Sequence, residues 1–177
     1  MSENEKCVVV YRSGSGFTKA YAQWIAEDLK CDLKEGKGTR ASDLLKYDTI
    51  ICGGGLYEGR IKGFKLIKKN LALFEGKKLI VFTVGASPVR SETTEELRNK
   101  NLPGELQERI QFFYLRGGFD YSRLTPFNKF LMSLMKIKLK SAKNPTADEK
   151  GLLASYSHPL DFTNKKYIQP IIKSVRS

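Results

Sequence analysis

Histidine is nearly absent: His158 is the only one in 177 residues. A Ser-His-Asp triad or a histidine-built metal site is therefore not expected. Cysteine is scarce as well. Cys7, Cys31 and Cys52 are odd in number, widely spaced and free of any C-x-x-C pair, a pattern of buried reduced thiols rather than a disulfide framework. No apolar run reaches the ~18–20 residues that cross a bilayer. The polar start Met1-Ser2-Glu3-Asn4-Glu5-Lys6 does not read as a signal peptide, so the chain is expected to be cytoplasmic. The string G-x-x-x-x-G-K-[ST] is missing too, which argues against nucleoside triphosphate chemistry. Acid is in short supply: 19 Asp+Glu face 31 Lys+Arg, leaving a net charge of +12. Such a surface attracts nucleic acid, anionic membranes or acidic small molecules. The lysines are spread through every predicted helix and no nucleic-acid motif occurs, so nucleic acid is not the expected partner. Apolar residues make up 41% of the chain, enough at this length for one folded domain over residues 1–177.

What is present is concentrated near the start. Cys7-Val8-Val9-Val10-Tyr11 is an unbroken apolar run, which predicts a strand buried on both faces. Arg12-Ser13-Gly14-Ser15-Gly16-Phe17-Thr18 follows, and then a helical pattern with Tyr21, Ala22, Trp24 and Ile25 on one side. A Gly-rich loop at a helix N-terminus can fold tightly and point N–H groups at one spot, where the macrodipole favours an anion. Ser13, Ser15 and Thr18 add hydroxyls. A plain βα turn with a capping hydroxyl is the alternative. A Rossmann dinucleotide loop fits only partly: Gly14 and Gly16 supply G-x-G, with Asp32 and Glu35 downstream, but Lys19 replaces the third glycine. The hydroxyl cluster suits a terminal phosphate monoester better than a bridging pyrophosphate.

Further along, Cys31–Lys34 reads as a polar edge strand and residues 43–46 as a helical turn. Thr49–Gly53, Leu79–Val84 and Gln111–Leu115 are predicted buried strands. Phe64, Ile67, Leu71 and Phe74 recur at helical spacing, and Ser91 heads a helix with Glu95 in its first turn. A last helix carries Phe162, Tyr167, Ile168, Ile171 and Ile172, with Pro170 expected to kink it. Strands alternating with helices predict a doubly wound parallel sheet of five strands with helices on both faces, and ligands at the carboxyl ends of the strands.

These features resemble the flavodoxin-fold family, and within it the branch containing menaquinone-dependent protoporphyrinogen oxidase. Ser13-Gly14-Ser15-Gly16-Phe17-Thr18 is similar to the family's phosphate loop, [ST]-x-T-G-x-T, with serine for the second threonine, Arg12 where a hydroxyl is frequent and Phe17 where a polar residue is usual. Tyr47 to Gly59, containing Gly54, Gly55, Leu56 and Tyr57, is similar to the loop that flanks the flavin ring. Thr83-Val84-Gly85-Ala86-Ser87 falls where the second flavin loop belongs. The resemblance implies FMN as cofactor, its phosphate held at residues 12–18 and its ring between the two later segments. Tyr57 is then a stacking residue, whose replacement is expected to alter the flavin more than replacement of Lys62. No metal is implied.

Residues 118–158 are an insertion before the last helix, as in the protoporphyrinogen oxidase branch. Within it, residues 127–140 place Lys129, Ser133, Lys136 and Lys140 in a narrow sector, at about 100° per residue, and apolar side chains over most of the remaining arc. A helix packed on one core needs only a stripe about 100° wide. The surplus predicts contact with a hydrophobic substrate, a partner or a membrane surface, unless the insertion buries both sides in the domain. The resemblance therefore implies an FMN-dependent oxidoreductase of the protoporphyrinogen oxidase type, passing electrons to a quinone. Its substrate would be a large apolar anionic molecule such as a tetrapyrrole, with Arg116, Arg123 and Lys129 facing its propionates and the protein peripheral at the inner face of the membrane. The alternative is a flavodoxin-type electron carrier that docks on protein redox partners.

Overall fold

A computed structural model of the chain describes residues 5–120 and 159–177, together with Ser122, Lys129, Ser133, Leu134, Lys136 and Ile137. Five parallel strands form the sheet: β1 (Cys7–Arg12), β2 (Asp32–Glu35), β3 (Thr49–Tyr57), β5 (Lys78–Gly85) and β6 (Ile110–Arg116), in the order β2-β1-β3-β5-β6. A two-residue strand, β4 (Arg60–Ile61), folds back antiparallel onto the end of β3. Gly118–Phe119 (β7) and Leu160–Asp161 (β8) make a separate antiparallel pair.

The valine run of β1 shows why the sheet is covered on both sides. Val9 and Tyr11 point to one face, where they join Phe17, Tyr21, Ala22 and Ile25 of α1 (Phe17–Leu29) and Ile171, Ile172 and Val175 of the last helix. Val8 and Val10 point to the other, against Leu44, Tyr47, Phe64, Ile67, Phe74, Leu102 and Leu106. Val8, Val9 and Val10 are each 2% exposed or less, so alternation has nothing to select and the run stays apolar. On the second face lie α2 (Lys65–Lys68), α3 (Ser91–Asn101) and α4 (Leu106–Arg109).

Four local expectations need correction. The Phe64–Phe74 periodicity does not build one helix. It is split into α2 and a 3₁₀ turn at Leu71–Phe74 with Asn70 between them, although Phe64, Ile67 and Phe74 are all buried as the spacing implies. Pro170 does not kink the last helix but sits in its first turn, because α5 spans Gln169–Arg176 and a proline there loses no helical hydrogen bond. Phe162 and Tyr167 lie outside that helix, Tyr167 in a 3₁₀ turn at Lys165–Ile168. The edge strand is also shifted by one residue, to Asp32–Glu35.

The helix expected at 127–140 lies largely outside the described residues. Lys129, Ser133, Leu134, Lys136 and Ile137 are each helical, and the Ser133 hydroxyl donates to the Lys129 carbonyl at 2.8 Å. Among the described residues no helix is long and apolar enough to cross a membrane.

Candidate functional site

The sheet order reverses between β1 and β3, because β2 lies on one side of β1 and β3 on the other. Such a switch point opens a crevice at the carboxyl ends of the strands. Here the crevice is bounded by the three segments singled out from the sequence. Arg12 pairs with Gly54, Gly54 with Thr83, Gly55 with Val84, and Gly85 with Arg116, so the strand ends stand side by side.

The loop from Ser13 to Gly16 links β1 to α1. Gly16 occupies the N-cap position with φ +94°, a left-handed conformation that a Cβ would strain. The Ser13 hydroxyl accepts a hydrogen bond from the Gly16 N–H at 3.0 Å and so closes the turn on itself. No side chain caps α1, and no acidic residue stands in its first turn. The first-turn N–H groups of this 13-residue helix lack intrahelical acceptors and carry the positive end of its dipole. A Cβ placed on Gly14 would meet only the Lys62 ammonium, at 4.0 Å, so the concave side of the loop is open. The uncapped helix start and the nearby Lys62 ammonium make this end of the loop electropositive.

Phe17 and Thr18 open α1, and both side chains are buried. The Phe17 ring is buried beneath Gly117 and Gly118, and its Cζ lies 2.7 Å from where a Cβ on Gly118 would be. The Thr18 hydroxyl faces Gly55, 3.4 Å from the position of a Cβ there, and Thr18 is 3% exposed. Arg12 is exposed, and its side chain packs over Gly36 and Gly63.

Gly54, Gly55, Leu56 and Tyr57 are not loop residues. They extend β3, which turns at Glu58-Gly59 into β4, with Leu56 opposite Ile61 and Tyr57 opposite Arg60. Both turn residues have positive φ, +51° and +72°, as a two-residue hairpin of this hand requires. Asn101 of α3 holds the hairpin. Its Oδ1 accepts from the Ile61 N–H at 3.0 Å, and its Nδ2 donates to the Gly59 carbonyl at 2.9 Å. Lys100 adds a bond from its ammonium to the Glu58 carbonyl at 2.9 Å. Tyr57 projects from this braced edge, 38% exposed, with the Lys62 ammonium 4.8 Å from its ring centre. Sequence reasoning missed both Asn101 and the position of Lys62. The Glu58-Gly59 pair between Leu56-Tyr57 and Arg60-Ile61 was the available signal for the hairpin.

In the third segment, Thr83, Val84 and Gly85 are strand and only Ala86 and Ser87 are loop. Thr83 is fully buried, and its hydroxyl donates to the Gly54 carbonyl at 2.9 Å, locking β5 to β3 at the crevice floor. Val84 is buried at 6% exposure. Gly85 is half-buried, while Ala86 and Ser87 are exposed. The Tyr114 phenol donates to the Ser87 carbonyl at 2.8 Å and fixes that loop; burial raises its pKa above the ordinary value. The Arg116 guanidinium stacks on Phe162 at 3.7 Å from the ring centre. The surfaces the crevice offers are therefore the Ser13–Gly16 backbone, the Gly55–Tyr57 edge and the Gly85–Ser87 turn.

A five-stranded parallel sheet flanked by helices, with a glycine-bearing loop and an uncapped helix start after its first strand, defines a doubly wound α/β protein. Residues 8–146 match the flavodoxin domain family, and the chain belongs to it. No functionally curated protein matches the chain significantly. Among solved structures it is similar to oxidised flavodoxin 1 from Bacillus cereus, at 23% identity and a TM-score of 0.46 over 75% of this chain and 94% of that one. A flavodoxin from the domain Archaea is 15% identical, with a TM-score of 0.44 over 97% and 99%. A flavoprotein in complex with FMN from Lactobacillus acidophilus is 19% identical, with a TM-score of 0.43 over 63% and 93%.

Proposed function

We propose that the chain binds FMN and acts as an FMN-dependent oxidoreductase. The observation that carries this reading is the uncapped start of α1 beside an open, hydroxyl-bearing loop at the switch point of a flavodoxin-family sheet. The residues present fit the group. Gly14 leaves the cradle open, the α1 N–H groups supply donors without a competing carboxylate, and Lys62 adds a positive charge at the rim. Ser13 to Thr18 would hold the phosphate. The Gly55–Tyr57 edge and the Gly85–Ser87 turn would flank the ring, with Tyr57 offering an aromatic face. Bound FMN would supply electron and hydride transfer, while the chain provides position and electrostatics. The test is reconstitution with FMN, followed by the visible absorption spectrum and reduction of menadione. A protein that takes up no FMN at micromolar concentration, or takes up NAD instead, contradicts the proposal.

The finer reading is an enzyme of the protoporphyrinogen oxidase type that passes electrons to a quinone. The net charge of +12 and the pattern of residues 127–140 support it, as does the exposure of Leu134 (51%) and Ile137 (63%). Apolar side chains left in water beside lysines suit a large apolar anionic substrate or an anionic membrane surface. Deleting residues 120–150 should leave FMN binding intact, abolish co-sedimentation with anionic liposomes and impair turnover of protoporphyrinogen with a quinone. A deletion protein that keeps full turnover makes an electron carrier docking on protein partners the better reading.

A further inference from the structure

At the opposite end of β1 from the anion cradle, two cysteines meet. Cys7 opens β1, and Cys31 directly precedes β2. The strands run parallel with Val8 beside Asp32, so Cys7 and Cys31 stand side by side at the next position of the same register. Neighbours in a parallel pair point to the same face, and the ~4.8 Å between strands falls inside the Cα separation a disulfide accepts, roughly 4.4–6.8 Å. The two side chains contact the same apolar cluster. Both line an open depression of about 340 Å³, shared with Lys6, Lys30, Lys46, Asp32 and Tyr47. Cys7 is 5% exposed, while Cys31 is half-buried and reachable from that depression.

We propose that Cys7 and Cys31 form an oxidisable dithiol that low-molecular-weight disulfides convert to an intramolecular disulfide, with Cys31 the attacking sulfur and Cys7 the resolving one. The roles follow from access, since only Cys31 meets solvent, and the electrostatics agree. The neighbouring Cys7 thiol lowers the Cys31 pKa, whereas Cys31 and burial raise that of Cys7. Cys52 is fully enclosed in the sheet, and burial alone pushes its thiol up to about 12.

The exchange balances in two steps. The Cys31 thiolate attacks one sulfur of the small disulfide, forms a mixed disulfide and releases one thiolate. Cys7 sulfur then attacks Cys31 sulfur and expels the second thiolate, and the Cys7 proton ends on that leaving group. Two electrons pass from the pair to the small disulfide, which leaves as two thiols. The strand length separates this site from the cradle by about 17–20 Å, so it needs no flavin and its chemistry is independent of the function proposed above.

The test uses the whole protein and oxidised glutathione, with thiol titration and mass mapping of the peptides. In the wild type, two of the three thiols should disappear together, the Cys7 and Cys31 peptides should become cross-linked, and no glutathione should remain attached. Cys7→Ser should instead retain glutathione on Cys31, and Cys31→Ser should keep both remaining thiols. A wild type that holds a stable glutathione adduct at Cys31, or keeps all its thiols under conditions that oxidise a free dithiol, overturns the proposal without reference to either variant.

Discussion

The Lys62 ammonium lies 4.8 Å from the centre of the Tyr57 ring and 4.0 Å from where a Cβ on Gly14 would sit, so one side chain spans the aromatic edge and the anion cradle. A phosphate held at residues 13–18 would attract that ammonium. Lys62→Ala should weaken FMN binding by about 1 kcal/mol at low salt, roughly fivefold, and the loss should shrink as salt rises. Riboflavin, which has no phosphate, should bind the variant as it binds the wild type. Tyr57→Ala should act differently, altering the bound flavin's absorption and potential. Equal losses for FMN and riboflavin in Lys62→Ala would place the lysine elsewhere.

Ser13 shapes the loop through its bond from the Gly16 N–H. Ser13→Ala removes the acceptor at a turn whose next residues must present their N–H groups together. FMN affinity should fall by about 1–2 kcal/mol, and Ser13→Thr should restore most of it. Titration of the apoprotein by flavin fluorescence reads both variants.

Asn101 is 8% exposed and bonds the turn and the returning strand of the β3–β4 hairpin. Asn101→Ala leaves the Ile61 N–H and the Gly59 carbonyl without this partner, at a cost of about 2–3 kcal/mol in urea unfolding. Asn101→Asp keeps an acceptor for Ile61 but cannot donate to Gly59, so its loss should be smaller. Identical losses would mean that the Oδ1 bond from the Ile61 N–H contributes nothing and that the amide nitrogen alone holds the turn.

Alkaline stability should depend on Tyr21. Its hydroxyl donates to the Arg116 carbonyl at 2.6 Å and accepts from the Asn164 N–H at 3.2 Å, joining α1 to the end of β6 and to the final segment. Burial, above all, raises its pKa from 10.0 to about 12. Above pH 10 the unfolded chain gives up this proton before the folded one does, so stability is full below pH 10 and declines as pH climbs toward 12. The decline attributable to Tyr21 is on the order of 2 kcal/mol. Thermal unfolding from pH 8 upward should show a shallower alkaline fall in Tyr21→Phe than in the wild type. Parallel curves would contradict the assignment.

The parts of the fold written in long apolar runs were legible in the sequence. Val8-Val9-Val10, Ile50-Ile51-Cys52 and Leu79 to Val84 are buried on both faces, and their residue types say so without any tertiary information. The cradle was legible because Gly16 needs a positive φ and sits between a strand and a helix. What failed were short elements set by distant partners. β4 is two residues long and exists because Asn101, forty residues away, bonds it. The helix drawn through Phe64 to Phe74 has the right buried face, but the chain changes course at Asn70. Thr83 lies in the segment that resembles the family's second flavin loop, and its hydroxyl donates to the Gly54 carbonyl on the neighbouring strand.

Binding of FMN compared with riboflavin tests the central claim most directly, because the two differ only by the phosphate that the cradle is argued to hold. Titrated into the apoprotein and followed by flavin fluorescence quenching, FMN should bind at micromolar concentration or tighter. Riboflavin should bind at least tenfold more weakly, a difference of about 1.4 kcal/mol or more. Ligands of equal affinity, or no binding of FMN at all, would contradict the assignment of residues 13–18 as a phosphate site.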